Sequence, residues 1–295
     1  MRALDFYLGI PILFFLSFVD KVWSPMNRTR SKRSAVVIFK LFGLGSVALT
    51  RPAVKFLKKQ QPETDIFFVT FEGNRDVPLL AELLDRDHVL LIRTSSIGHL
   101  WCSSLRALRI LRKRRIQISL DLEYFSRFTM LFSYLAGARR RFGYVLPNVP
   151  GFYRGTLLTD CILYNPYVHT ARSYMSFVEK LTGQEADQVN DYAEQIASSS
   201  VETDFVKSIV IPREHLSQDS WSLIVINVNA GPLMLERRWQ GANFIRLTNL
   251  LLSYYPKARV IFIGAAAERT YIQSLWPGIE QSERALDVSG LLDIK

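Results

Sequence analysis

Residues Ala35-Val36-Val37-Ile38-Phe39-Lys40 run directly into Leu41-Phe42-Gly43-Leu44-Gly45-Ser46. The first stretch is apolar up to Lys40 and rich in β-branched residues, the pattern of a strand buried on both faces. Gly43 and Gly45 then open a loop. The helical pattern that starts at Gly45 ends at Lys59, before Pro62. A strand, a glycine loop and a helix in that order begin a parallel sheet covered by helices.

The same alternation continues toward the C-terminus. Ile66 to Phe71 predicts a second strand, Val77 to Leu84 a helix and Val89 to Ile92 a third strand. Leu100 to Arg112 predicts a helix, Ile116 to Leu120 a strand, and Phe125 to Ala136 a helix closed by Gly137. Arg141 to Tyr144 is a short strand. A stretch rich in Gly, Pro and aromatics, Gly143 to Tyr164, leads to a helix from Ala171 to Leu181. The fold class is α/β, doubly wound.

Gln184 to Ser220 is polar, includes the serine run Ser198 to Ser200, and reads as an interdomain connection. The pattern then restarts with a strand at Leu223 to Val228, a helix at Ala242 to Tyr254, a strand at Arg259 to Ile263 and a helix at Glu268 to Leu275. The chain divides into an apolar and basic segment (1–33), a Rossmann-like domain (34–183), a linker (184–220) and a second, partial Rossmann-like domain (221–295). The sequence reaches Lys295 after roughly two strand–helix units, where such a domain has about five or six strands. Either the second domain is shortened, or its remainder lies outside this sequence.

Phe6 to Val19 carries no charge and is bounded by Asp5 and Asp20. As a helix it would span about 21 Å, short of the roughly 20 residues that a bilayer crossing needs. Only Arg2 precedes Asp5, Pro11 interrupts the run and no small-x-small cleavage site follows, which argues against a secretory signal. The expectation is a segment lying at a membrane interface, held by Arg28, Arg30, Lys32 and Arg33. Its alternative is a hydrophobic helix packed on the protein body.

The formal charge of +10 is concentrated in that block, in Arg109 with Arg112 to Arg115, and in Arg139 to Arg141. Such blocks are solvated faces that also suit an anionic partner. Charge alone does not choose among phospholipid headgroups, a phosphorylated glycolipid and nucleic acid. Cys102 and Cys161 are too far apart for a CxxC motif and read as two reduced, buried thiols. His88, His99, His169 and His215 show no metal-ligand spacing, so no metal site is expected.

Two places carry candidate chemistry. Gly43, Gly45 and Ala48 satisfy G-x-G-x-x-[GA], and Glu72 stands near the end of the second strand. Together they fit a dinucleotide-binding loop, and so an NAD-dependent oxidoreductase, although glycine loops after strands recur in many α/β domains. The second place is Ile226-Asn227-Val228-Asn229-Ala230-Gly231, followed by Glu236-Arg237-Arg238-Trp239. Backbone N–H groups and paired guanidinium forks suit a diphosphate, and they stabilise charge developing on a nucleotide leaving group.

The order of several short motifs resembles glycosyltransferase family 9, the ADP-heptose:lipopolysaccharide heptosyltransferase group. Gly45 and then Leu49-Thr50-Arg51-Pro52-Ala53 are similar to its opening loop and T-x-P-A-like helix entry. Asp121-Leu122-Glu123 resembles its D-L-[QE] motif, and Gly137-Ala138-Arg139-Arg140-Arg141-Phe142-Gly143 its G-A-x-x-R-x-G run. His169 followed by Tyr174 is similar to its H-x-x-x-x-Y-like helix, and Arg237-Arg238-Trp239 to its K-R-W signature.

The resemblance implies two Rossmann-like domains of the GT-B type, one for a lipid-linked glycan acceptor and one for a nucleotide-sugar donor such as ADP-heptose. It implies inverting, metal-independent transfer without a cofactor, on the cytoplasmic side at the inner face of the cytoplasmic membrane. The implied partners are donor, acceptor and an anionic membrane surface, not nucleic acid. By matched position, Arg237 takes the place of a phosphate-binding lysine. Arg238, Asn229, Ala230 and Gly231 line the donor pocket, while Gly43, Gly45, Arg127 and His169 are acceptor-site candidates.

Two departures stand out. The family places Asp, its general base, where this chain has Ser46, and the D-[ST]-G-x-x-H loop that closes on donor phosphates is not found after Gly290. A serine hydroxyl is no base at neutral pH unaided. Glu123 or Asp121, at the C-terminal edge of a parallel strand, is then the carboxylate expected to serve, unless Asp121 caps the following helix. The alternative is a non-catalytic, transferase-like protein that binds an anionic glycolipid or a partner.

Overall fold

The computed structural model describes residues 11, 13–18, 35–75, 83–146, 149, 156–186, 204, 222–228 and 235–291. The chain forms two compact units, Met1–Glu194 and Gln195–Ile294, with the division inside the expected linker. In the first unit β1 (Ala35–Phe39), β2 (Asp65–Phe71), β3 (Val89–Ile92), β4 (Ile118–Asp121), β5 (Arg140–Val145) and β6 (Asp160–Leu163) form one sheet, ordered β3-β2-β1-β4-β5-β6. All neighbouring pairs are parallel. The order reverses between β1 and β4. Ligands of open α/β sheets bind beyond the carboxyl ends of the strands at such a reversal.

Among the described residues, the first unit's helices from β1 onward include α1 (Leu44–Ala48), α2 (Arg51–Gln60), α3 (Ile97–Lys113), α4 (Arg127–Leu135) and α5 (Thr170–Thr182). Side chains alternate along β1, so Val36 and Ile38 meet Val54, Leu57 and Phe177 of α2 and α5. Val37 and Phe39 meet Ala107, Leu111 and Phe132 of α3 and α4 on the opposite face. This two-sided burial is why the strand sequence is apolar at every position rather than at alternate ones.

Three differences from expectation have local causes. The helix foreseen from Gly45 to Lys59 is two pieces, α1 and α2. Pro52 has no N–H to donate and its ring crowds the carbonyl four residues back, while the Thr50 hydroxyl donates to Val47 O at 2.7 Å instead. Strand β6 falls inside the stretch read as irregular, because a four-residue edge strand with only Ile162 buried has no apolar run to reveal it. Cys102 and Cys161 are exposed, not buried: Cys102 lies on the outer side of α3 and Cys161 on edge strand β6. The helix expected at Val77 to Leu84 lies largely outside the described residues.

Arg141 is also not a solvated charge. It is buried, and its guanidinium donates to the carbonyls of Leu157 and Ala138. The helical residues 13–18 pack on the first unit through Leu13, which is buried with Met130 and Leu157. Thr156 N donates to the Ser17 hydroxyl at 3.0 Å. Phe14, Phe15 and Phe18 point outward. One side of the apolar segment is thus packed on the body, and among the described residues no helix is long and apolar enough to cross a membrane. The block Arg28 to Arg33 lies outside the described residues.

The second unit holds β7 (Ser222–Asn227), α6 (Gly241–Tyr254), β8 (Ala258–Ile263), α7 (Arg269–Gln273) and β9 (Ala285–Asp287). The three strands are parallel in the order β7-β8-β9. The expected pattern lacked β9, a strand of three residues entered from short 3-10 turns. Ile226, Phe244, Leu252, Val260, Phe262 and Ile272 form its main core.

Candidate functional site

Beyond the C-terminal ends of β1 and β4, two loops face the crevice. Residues 40–43 leave β1 and residues 122–126 leave β4. Glu123 joins them. Its Oε1 accepts from Lys40 Nζ at 2.7 Å, Leu41 N at 2.6 Å and Phe42 N at 2.9 Å. Both side chains of this ion pair are buried. From the β2 side, Asn74 Nδ2 donates to Leu41 O at 2.7 Å and to Thr70 Oγ1 at 2.8 Å. The loop is therefore clamped from both flanks before it turns at Gly43, whose φ of +81 a side chain would resist. Val47 N donates to Gly43 O at 2.9 Å as α1 begins.

Asp121 and Glu123 do not act as a pair. Asp121 is fully buried, its Oδ2 accepting from the Thr129 hydroxyl at 2.9 Å and its Oδ1 from Glu123 N at 3.2 Å. The N-cap of α4 is Ser126, not Asp121, and Ser126 accepts from Thr129 N. Glu123 turns instead to the β1 loop. Among the described residues its Oε2 has no hydrogen bond, while Oε1 carries all three. Ser46 lies half-buried within α1, and Gly45 is exposed with open space above it. Arg127 is buried at the start of α4. His169 is an exposed N-cap whose Nδ1 accepts from Ala171 N at 3.3 Å.

The residues that sequence reading missed here are aromatic. Tyr124 stacks on Tyr144 with centroids 5.2 Å apart, and Tyr164 meets both edge-on. Lys40 Nζ sits over the Tyr124 ring at 5.9 Å. Phe125 adopts a φ of +58, unusual for a bulky side chain, directly after Tyr124. Burial raises the Tyr144 and Tyr174 hydroxyls above their ordinary range, and for Tyr174 the Glu123 charge adds to the effect. No short motif marks such a cluster, since its members come from three separate loops and strands.

Glu72, the acid wanted by a dinucleotide reading, is engaged otherwise. Its Oε1 accepts from Arg75 Nη2 at 3.0 Å and lies 3.5 Å from Arg93 Nε. Among the described residues no group of three His, Cys, Asp or Glu side chains is placed to share a metal ion.

In the second unit Asn229, Ala230 and Gly231 lie outside the described residues. Just after them, Leu235–Arg237 forms a 3-10 turn beyond the C-terminal end of β7. Arg237 is exposed there. Arg238 is half-buried with its guanidinium 4.1 Å from the Tyr271 ring centroid, and among the described residues its buried Nε has no hydrogen-bond partner. The two arginines thus differ: one is free to meet a ligand, the other is stacked with a donor to spare. Trp239 packs edge-on against Phe244 of α6 at 5.2 Å.

Neither a protein-family model nor a curated protein sequence matches the chain. Solved structures do. A glycosyl transferase family 9 protein from Veillonella parvula superposes with a TM-score of 0.62 at 18% identity, over 88% of this chain and 70% of that one. The E. coli ADP-heptose lps heptosyltransferase II matches with a TM-score of 0.57 at 15% identity, over 88% and 73%. The E. coli heptosyltransferase WaaC with ADP matches with a TM-score of 0.57 at 13% identity, over 86% and 73%. What is shared at these identities is architecture, so the chain has the parallel α/β fold of the family 9 glycosyltransferase structures.

Proposed function

We propose that the protein is a GT-B type glycosyltransferase that moves a sugar, heptose among the candidates, from a nucleotide-sugar donor to a lipopolysaccharide-type or related envelope glycan. The observation that supports this reading best is the likeness to family 9 structures over 88% of the chain. The paired arginines beyond β7 add to it. The transfer is inverting and needs no metal or cofactor. A carboxylate takes the acceptor hydroxyl proton as that oxygen bonds to the sugar's anomeric carbon. The bond to the diphosphate breaks, and Arg237 and Arg238 balance the charge left on it. The protein works on the cytoplasmic side, peripherally on the inner face of the membrane.

Glu123 is the carboxylate assigned as base, since Asp121 is turned into the protein. Its Oε1 anchors the β1 loop, and Oε2 is the oxygen that receives the proton. The decisive experiment follows nucleotide release from ADP-heptose and other nucleotide sugars, with and without a lipid-linked acceptor. Release that depends on acceptor supports transfer. Binding of nucleotide diphosphate without any release refutes it.

A second reading, a transferase-like protein that binds an anionic glycolipid or partner without turnover, has one specific observation in its favour. Ser46 stands at the usual base position, and Glu123 already has a structural task in holding residues 40–42.

A further inference from the structure

Helix α3 exposes an apolar line of its own. Ile97 is 76% exposed, Trp101 64% and Leu105 45%. Their spacing of four residues puts them on one continuous ridge, each about 40° around the helix from the last. A surface of this kind on a soluble face marks an interaction site.

The ridge has a direction. Its apolar end is the N-terminal end of α3, which follows β3 and so lies at the sheet edge where ligands bind. Its other end is basic: Arg109, Arg112, Lys113 and Arg115 are exposed there. Arg139, in the turn between α4 and β5, lies close by, because Arg139 N donates to Gln117 O at 2.8 Å. The ridge side of α3 faces α4, since Arg112 Nε donates to Leu135 O at 2.6 Å. On the far side of α4, the helical residues 13–18 pack against Met130, Leu131 and Tyr134 and expose Phe14, Phe15 and Phe18. Three helical segments thus lie side by side with α4 in the middle, and the two outer ones carry large apolar side chains in solvent.

We propose that this helical face, with the Ile97-Trp101-Leu105 ridge along one side of it, is a docking surface for an anionic lipid bilayer. The inference rests on the peripheral membrane reading above and assigns it a face and residues. Trp101 sits at the interface between headgroups and acyl chains, where an amphipathic ring is favoured, with Ile97 and Leu105 beside it. The arginines and lysine at the C-terminal end of α3 meet lipid phosphates. This charge complementarity selects a bilayer over a second copy of a chain of net charge +10, which would bring like charges together. The orientation leaves the ligand edge of the sheet beside the bilayer, within reach of a lipid-linked acceptor.

The test is co-sedimentation of the full chain with phosphatidylcholine vesicles, with or without about one third phosphatidylglycerol. Trp101→Glu/Leu105→Glu should lower the partition coefficient about tenfold or more, with circular dichroism and nucleotide-diphosphate affinity unchanged. Trp101→Phe/Leu105→Met should retain binding, which separates lost insertion from lost folding. Arg109→Ala/Lys113→Ala should weaken binding only to the phosphatidylglycerol vesicles. Undiminished partition of the Glu variant overturns the proposed face while leaving membrane contact through other residues standing. A parent that ignores both vesicles overturns the membrane reading itself. A parent dimer that the Glu variant converts to monomer, with no vesicle binding, overturns the proposal in favour of self-association.

Discussion

Lys40 Nζ and Glu123 Oε1 lie 2.7 Å apart across the point where the first sheet reverses its strand order. The same oxygen also accepts from Leu41 N and Phe42 N, so one carboxylate fixes a loop 82 residues away in sequence. A buried pair of this kind is costly to break on one side, because the remaining charge is left without its partner. Glu123→Gln should therefore reduce stability by about 3–5 kcal/mol, read from the urea midpoint. It should also abolish sugar transfer. Ser46→Ala should change neither by much. A stable Glu123→Gln protein with full transfer would remove Glu123 from both roles.

The two arginines beyond β7 should separate in a binding experiment. Arg237 is exposed and without a packing role, so Arg237→Ala is expected to weaken nucleotide-diphosphate binding about tenfold with an unchanged melting temperature. Arg238 stacks on Tyr271. Arg238→Ala should lower both affinity and melting temperature, whereas Arg238→Lys should restore neither fully, because an ammonium lacks the planar fork. Equal affinity in parent and Arg237→Ala, measured by calorimetry, would place the donor elsewhere.

Alkali should unfold the first unit earlier than its ordinary carboxylates and lysines would dictate. Tyr144 and Tyr174 keep their protons in the folded state above the ordinary value of 10.0, while in the unfolded chain they ionise near it. Their contribution is complete below pH 10.0 and declines as the pH rises beyond it, the folded state then holding more protons than the unfolded one. Tyr144→Phe should flatten that decline. At neutral pH it should cost about 1 kcal/mol for the lost bond to the Ser173 hydroxyl. Denaturation midpoints across this range, compared between parent and variant, check the sign.

Two glycines with the same backbone handedness should respond differently to alanine. Gly290 has a φ of +68, and an added Cβ would meet Ala266 at 2.7 Å; Gly183 has a φ of +72 with nothing within 4 Å. Gly183→Ala should cost about 1–2 kcal/mol for conformation alone. Gly290→Ala should cost clearly more and destabilise the second unit, seen as a larger drop in its thermal midpoint.

Removing residues 1–30 should do more than release protein from membranes. Leu13 is buried against Met130 and Leu157, and Ser17 caps the chain at Thr156. The truncated protein should bind a hydrophobic dye and melt earlier. An unchanged melting curve would show that this packing contributes nothing to stability.

Sequence periodicity revealed β1 to β4 by their mostly apolar runs, clearest in β1 and β2, where burial on two faces removes polar interruptions, and β5 by its place after the helix closed by Gly137. It did not reveal β6, in which Ile162 alone is buried, or β9, which has three residues. The places of Asp121 and Glu123 at a strand end were legible from the strand pattern. Their separation into a residue facing α4 and a residue facing the β1 loop was not, because it depends on Thr129 and Lys40, which lie outside the strand that carries the two carboxylates. The ridge on α3 was missed for a simpler reason. Ile97 precedes the expected start of the helix at Leu100, so only two of the ridge's three residues fell inside it.

The bond between residues 40 and 123 has a consequence for the order of assembly on the ribosome. A nascent chain that has released β1, β2 and β3 can already pair those strands, yet its Lys40 ammonium has no counter-charge until Glu123 emerges 83 residues later. The crevice therefore cannot be completed before residue 123 is made, and until then a half-made chain holds an open, charged edge in place of a finished site.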